Sequence, residues 1–292
     1  VDGPVTAHGA GAVTLTAHAG ALDINASISS TSGPIALDAD SVAQDADVST
    51  GGPGTVDVSA DNGDIIMADL TTTATGSGQI RYTASGDVAL SRLTSTSGPL
   101  VVTADDDNSS AGAILDNTAA ETPNLVTGAA ATLRAASGIG SGGAAADIQT
   151  SVATLDVANS SSGDVSIRES DGVTINRLSQ GGPGALSLRT TDGSIMVAAG
   201  QAGVSADGGT VTLAALGAAR DLAIQAPVNT PAGLVELSAT ASITGTPAGV
   251  ITAADLLLTA STGIASLASP LQTVVGRLEA SGGTGGVFVD NT

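Results

Sequence analysis

The densest set of potential ligands in this 292-residue chain is Asp105-Asp106-Asp107-Asn108. Three carboxylates and an amide are hard oxygen donors, the kind that Ca2+ collects six to eight at a time. No other acidic residue stands at a spacing that would complete such a shell. The same residues therefore also read as a solvated acidic loop, and no metal site is assigned from them.

A second constellation is Arg168, Glu169 and Asp171. Two carboxylates beside a guanidinium are the raw material of general acid/base cleavage of an acidic polysaccharide. Sugars stack on aromatic rings, and the chain has no Trp, one Tyr (Tyr82) and one Phe (Phe288). These charges read by default as the exposed edge of a strand, and the chain is expected not to be an enzyme. His8 and His18 fall in different corners and build neither a triad nor a metal site. The GGPG segments at 51–54 and 181–184 resemble the start of a calcium-binding nonapeptide, but Val56 and Leu186 stand where it needs Asp. An ice-binding threonine ladder is broken by Asp38, Ser59, Arg189 and Ala214 at the outward position held by Thr16. The sequons at Asn25, Asn108 and Asn159 are expected by chance in a Ser-rich chain. No cofactor is implied by any of these residues.

The elements that must carry these side chains repeat. Gly33-Pro34 leads into Ile35-Ala36-Leu37-Asp38, and Gly54 leads into Val56-Asp57-Val58 about one period later, with apolar residues two apart. The same pattern follows Gly11, Gly78 and Gly98, continues with weaker corners near Leu133 and Leu155, and is clean again at Gly184, Gly209, Gly233, Asp255 and Arg277. Each unit of roughly 20–31 residues is too small to bury its own apolar face and must stack on copies of itself. A second alternating pair follows at Ile65, Val88, Val165 and Ile195, and a third apolar position at Leu70, Leu93 and Leu178. Asn-Gly hairpins between antiparallel pairs are not the pattern. The expectation is an all-β, right-handed parallel β-helix, a β-solenoid of about twelve coils with three short strands per coil. Twelve strands at ~4.8 Å make a rod of roughly 55–60 Å. Corner glycines are expected to supply positive φ. Longer loops are expected near 104–124 and 160–184.

Composition sets further bounds. The net charge is −20, and all eight basic residues are Arg. Phosphates need a basic surface, so nucleic acid is not an expected partner. No apolar run approaches the ~20 residues of a membrane span, and no Cys is present for disulfides or thiolate ligands. A longer repeat lies over the short one: Gly138-Ile139-Gly140-Ser141 and Ile148–Leu155 return as Gly263-Ile264-Ala265-Ser266 and Leu271–Leu278. Residues 1–292 thus read as one solenoid segment excerpted from a longer array.

The GxVxLxA strands, the GIGS…IQTSVATLDVA element, and the GDVSIRESDGVTI and GGVFVDN strands resemble the β-helical region of large secreted exoproteins of the filamentous haemagglutinin type. The resemblance covers essentially the whole chain. It implies an extracellular or cell-surface location in a Gram-negative bacterium, with two-partner secretion, autotransport and giant repeat proteins all open as routes. It also implies a role as the rigid stalk or filament body of an adhesin. The partners expected are neighbouring repeats or further copies of the chain, stacked coaxially or laterally. The alternative is a binding module whose protruding loops contact a glycan, a receptor or Ca2+.

Overall fold

The computed structural model describes residues 1–120, 122–140 and 146–292. Among these every regular element is a strand, the strand ladders are parallel, and the chain is a β-solenoid of about 13 turns. It divides into two compact units, Val1–Ala153 and Thr154–Thr292.

In the first unit, alternation drives one side of every strand inward. On the leading face Val13, Ile35, Val56, Ile80, Leu100 and Ala131 stack in register, and Leu15, Leu37, Val58, Tyr82, Val102 and Leu133 stack two residues further on. A second face stacks Leu22, Val42, Ile65, Val88 and Ile114. A third stacks Val5, Ile28, Val48, Thr73, Leu93 and Leu125. Each buried Val, Leu or Ile contributes about 1.5–3 kcal/mol. Parallel pairing to the turns on either side satisfies the backbone.

The second unit repeats the plan. Its leading face stacks Val165, Leu186, Val211, Val235, Leu256 and Leu278. Its second face stacks Val173, Ile195, Leu222, Ile243 and Ile264. Leu178, Val204, Val228, Ile251 and Thr273 form the third.

Several sequence expectations change here. Leu155 does not open a leading strand: it pairs with Ile175 on the second face, and Val165–Glu169 is the leading strand instead. Alternation alone reads the same on all three faces, and only the corner tells them apart. For the same reason the longer repeat does not end in equivalent places, because Leu278 lies on the leading face. Ser141 of its first copy lies outside the described residues. Leu70 is 84% exposed, and Thr73 takes the third-face position that stacks on Leu93. The region 160–184 is largely strand, over Val165–Glu169 and Val173–Gln180. Within 104–124 the strand Ile114–Asp116 pairs with Val88–Leu90, so two shorter loops replace one long one.

Gly163 and Gly184 take the expected positive φ, 80° and 153°, but at four leading corners the reason for glycine differs. Gly33, Gly54, Gly78 and Gly98 do not have positive φ. They are required because the corners touch: a Cβ on Gly78 would lie 1.8 Å from the Gly54 carbonyl oxygen, and one on Gly98 2.0 Å from that of Gly78.

Candidate functional site

The acidic loop begins where the strand Leu100–Thr103 leaves the leading face. Asp105, Asn108 and Ser110 adopt positive φ of 63°, 57° and 68°, which folds the segment on itself. Asp105 Oδ1 accepts from the Ser109 hydroxyl at 2.9 Å and from the Ala111 N–H at 3.3 Å. Asp107 Oδ1 accepts from the Ser109 N–H at 3.1 Å, and Asn108 Nδ2 donates to the Asp106 carbonyl at 3.3 Å. Asp105 and Asp107 are thus turned into the loop's own donors. Among the described residues no three His, Asp or Glu side chains converge as a metal-binding group. Asp106 joins Asp38, Asp57 and Arg81 along a shallow furrow on the outer face of the leading strands.

Arg168, Glu169 and Asp171 adjoin in the chain, and Asp171 N–H reaches Glu169 Oε1 at 3.5 Å, but their side chains take different directions. Alternation sends Arg168 outward, in register with Arg189, and sends Glu169 inward beneath Thr190. Glu169 is fully buried, where an exposed strand edge was expected. Its Oε1 accepts from the Ser170 N–H at 3.1 Å. Asp171 is exposed in the following turn. The two carboxylates therefore do not flank one substrate bond, which is the geometry that acid/base cleavage requires. His8 and His18 are both exposed. Of the three sequons, Asn159 is buried, its amide donating to the Ser162 carbonyl and to Gln180 Oε1, each at 2.6 Å.

A second shallow furrow follows the outer face of the leading strands in the second unit, along Arg189, Thr212, Glu236 and Ser238. Thr212 donates to Glu236 Oε2 at 3.3 Å. The ladder position of Thr16 continues through Asp38, Ser59, Thr83, Thr103 and Arg134, so no regular threonine array forms.

The polar groups that are tightly organised face inward or sit at corners. Gln44, Thr73 and Tyr82 meet in the core of the first unit and close a ring. Gln44 Nε2 donates to Thr73 Oγ1 at 3.0 Å, Thr73 and Tyr82 hydroxyls lie 2.6 Å apart, and the Tyr82 hydroxyl donates to Gln44 Oε1 at 2.5 Å. Burial holds the Tyr82 phenol well above the ordinary tyrosine range, against a smaller opposite effect of Thr73.

At the corner before the leading face, buried hydroxyls bind glycine carbonyls of the preceding turn: Ser30 to Gly11, Thr50 to Gly33, Thr127 to Gly98 and Thr230 to Gly209. Corner acids do the same for N–H groups. Asp64 Oδ1 accepts from Asp87 N–H at 2.8 Å, Asp87 Oδ1 from Ala113 N–H at 2.7 Å, and Asp164 Oδ1 from Ala185 N–H at 2.8 Å. Much of the acidic composition is thus engaged in joining turns. The signals for this were in the sequence as Ser/Thr-x-x-Gly before a strand, as in Ser30 to Gly33 and Ser95 to Gly98, and as Gly-Asp before Ile65, Val88 and Val165.

No protein family, curated protein or solved structure matches the chain.

Proposed function

We propose that this chain is a structural stalk or filament body of a large extracellular bacterial exoprotein or adhesin, working as a rigid stack rather than as a catalyst. The observation that supports it best is the register of the inward ladders. In each unit the three faces repeat turn after turn, and the corners are tied across turns by Ser, Thr and Asp side chains. A load along the stack is then shared by the backbone hydrogen bonds of every turn and by interior packing that deforms little. The residues with the best chemical prospects support the same reading, since Asp105 binds its own loop and Glu169 is buried while Asp171 is exposed. A surface-exposed, Gram-negative setting rests on the resemblance of the GxVxLxA strands to haemagglutinin-type exoproteins.

Electron cryo-microscopy of the native material tests this. Long unbranched fibres with a rise of ~4.8 Å between turns are expected, and compact particles of the size of this chain would overturn it. Repeating the imaging with chelator determines whether cations bridge the acidic surfaces.

A further inference from the structure

We infer that Asn62 is a site of spontaneous deamidation, at which a hydrogen bond between turns becomes a contact between two carboxylates. Asn62-Gly63 is the only Asn-Gly pair in the sequence. It lies in the bend between the strands Val56–Ala60 and Ile65–Met67, with Asn62 exposed and Gly63 half-buried. Asn62 N–H donates to the Asp40 carbonyl at 3.1 Å, and the Gly63 carbonyl accepts from Gly86 N–H at 2.9 Å. The N–H of Gly63 itself donates to no group among the described residues. With no Cβ beside it, that nitrogen is an open nucleophile next to an exposed side-chain amide.

The step balances without a co-reactant other than water. Gly63 N gives its proton to hydroxide and attacks Asn62 Cγ, forming the N–Cγ bond of a five-membered imide. The Cγ–Nδ2 bond breaks, and Nδ2 takes a proton from water and leaves as ammonia. Water then adds to either imide carbonyl and breaks its C–N bond, the nitrogen regains a proton as an amide N–H, and the new carboxyl loses one to solvent, leaving aspartate or isoaspartate and one more negative charge.

The other susceptible pairs are protected. Ser109 N–H, the nucleophile beside Asn108, is engaged by Asp107 Oδ1, and the Asn159 amide is buried and donates twice. Asn25 precedes an alanine, whose Cβ crowds the attacking nitrogen.

The consequence falls on Asp40, which joins three turns: Oδ2 accepts from Gly20 N–H at 2.7 Å and Oδ1 from Asn62 Nδ2 at 2.6 Å. The Gly20 N–H first, and the Asn62 amide second, hold the Asp40 carboxyl below the usual carboxylate range. After conversion the second donor is replaced by an acceptor of like charge, which disfavours ionised Asp40.

Peptide mapping of the folded chain held at mildly alkaline pH tests the assignment. The peptide containing Asn62 should gain one mass unit and isoaspartate before those of Asn108 or Asn159, and Asn62→Gln should abolish the gain. In Asn62→Asp, Asp40 should titrate at higher pH. An Asn62 peptide left unchanged when the urea-unfolded chain in the same buffer has converted would overturn the proposal. So would earlier conversion at Asn108, or an unaltered Asp40 titration.

Discussion

The Thr127 hydroxyl donates to the Gly98 carbonyl at 2.7 Å, across the step from one turn to the next. Thr127 is 4% exposed, so the bond is made away from water. Thr50 stands in the same relation to Gly33, also at 2.7 Å. These hydroxyls occupy an inward position where an apolar residue would be expected, and they answer carbonyls that the corner has turned away from the ladder.

Thr127→Val keeps the shape and removes the donor. Leaving the Gly98 carbonyl unpaired in a buried corner is expected to lower stability by about 1–3 kcal/mol. Thr94→Val, on the outer side of a third-face strand, is expected to stay within ~0.5 kcal/mol. Urea unfolding followed by circular dichroism compares the two, and equal losses would remove the corner bond from the account.

Gly78→Ala places a Cβ against the Gly54 carbonyl, where the nearest atoms are all backbone of Pro53 and Gly54 rather than a flexible side chain. Stability is expected to fall by about 3 kcal/mol or more, because the turns must separate at that corner. At Gly3 a Cβ would meet nothing within 4 Å, so Gly3→Ala is the matched control. Thermal melts of both variants check the difference.

Leu70 holds a φ of 68° at an exposed turn, a conformation that costs an L-residue roughly 1–2 kcal/mol. In the second unit the corresponding turn after Val197 has Gly200 there, at 72°. Leu70→Gly relieves the strain and adds back some freedom to the unfolded chain, for an expected gain of about 0.5–1 kcal/mol. A lower melting temperature would mean that Leu70 makes a contact that its exposure does not reveal.

Tyr82 is the chain's one tyrosine, and no Trp obscures it. Its phenol is held protonated by burial, so its folded pKa lies above the unfolded value of about 10. The associated stability is fully present below pH ~10 and is lost as pH rises beyond it, since the unfolded chain then releases a proton that the folded chain keeps. Absorbance titration should show phenolate appearing together with unfolding. In Tyr82→Phe the alkaline loss should diminish, although the ring with Gln44 and Thr73 is opened.

The sequence by itself determined the architecture. A two-residue alternation ending in Gly-led corners, repeated at near-constant intervals in a chain almost without aromatic rings, can bury its apolar side only by stacking. The inward positions of Ile35, Leu37, Val56 and Val58 follow from that alternation alone. Tertiary structure decided which face each strand joins, and with it the fate of the chemical candidates. Glu169 and Arg168 are adjacent in the chain, yet the pleat puts one in the core and the other outside. Leu155 and Val165 carry the same local pattern, and only their partners Ile175 and Leu186 separate the second face from the leading one. The ring of Gln44, Thr73 and Tyr82 was illegible because its members come from three different turns. Periodicity does not separate Gly163 and Gly184, whose positive φ requires glycine, from Gly33, Gly54, Gly78 and Gly98, where contact between successive turns does. Periodicity is a property of neighbours in the chain, and it carries the fold. Register, burial and close approach are properties of neighbours in space, and they decided every candidate site.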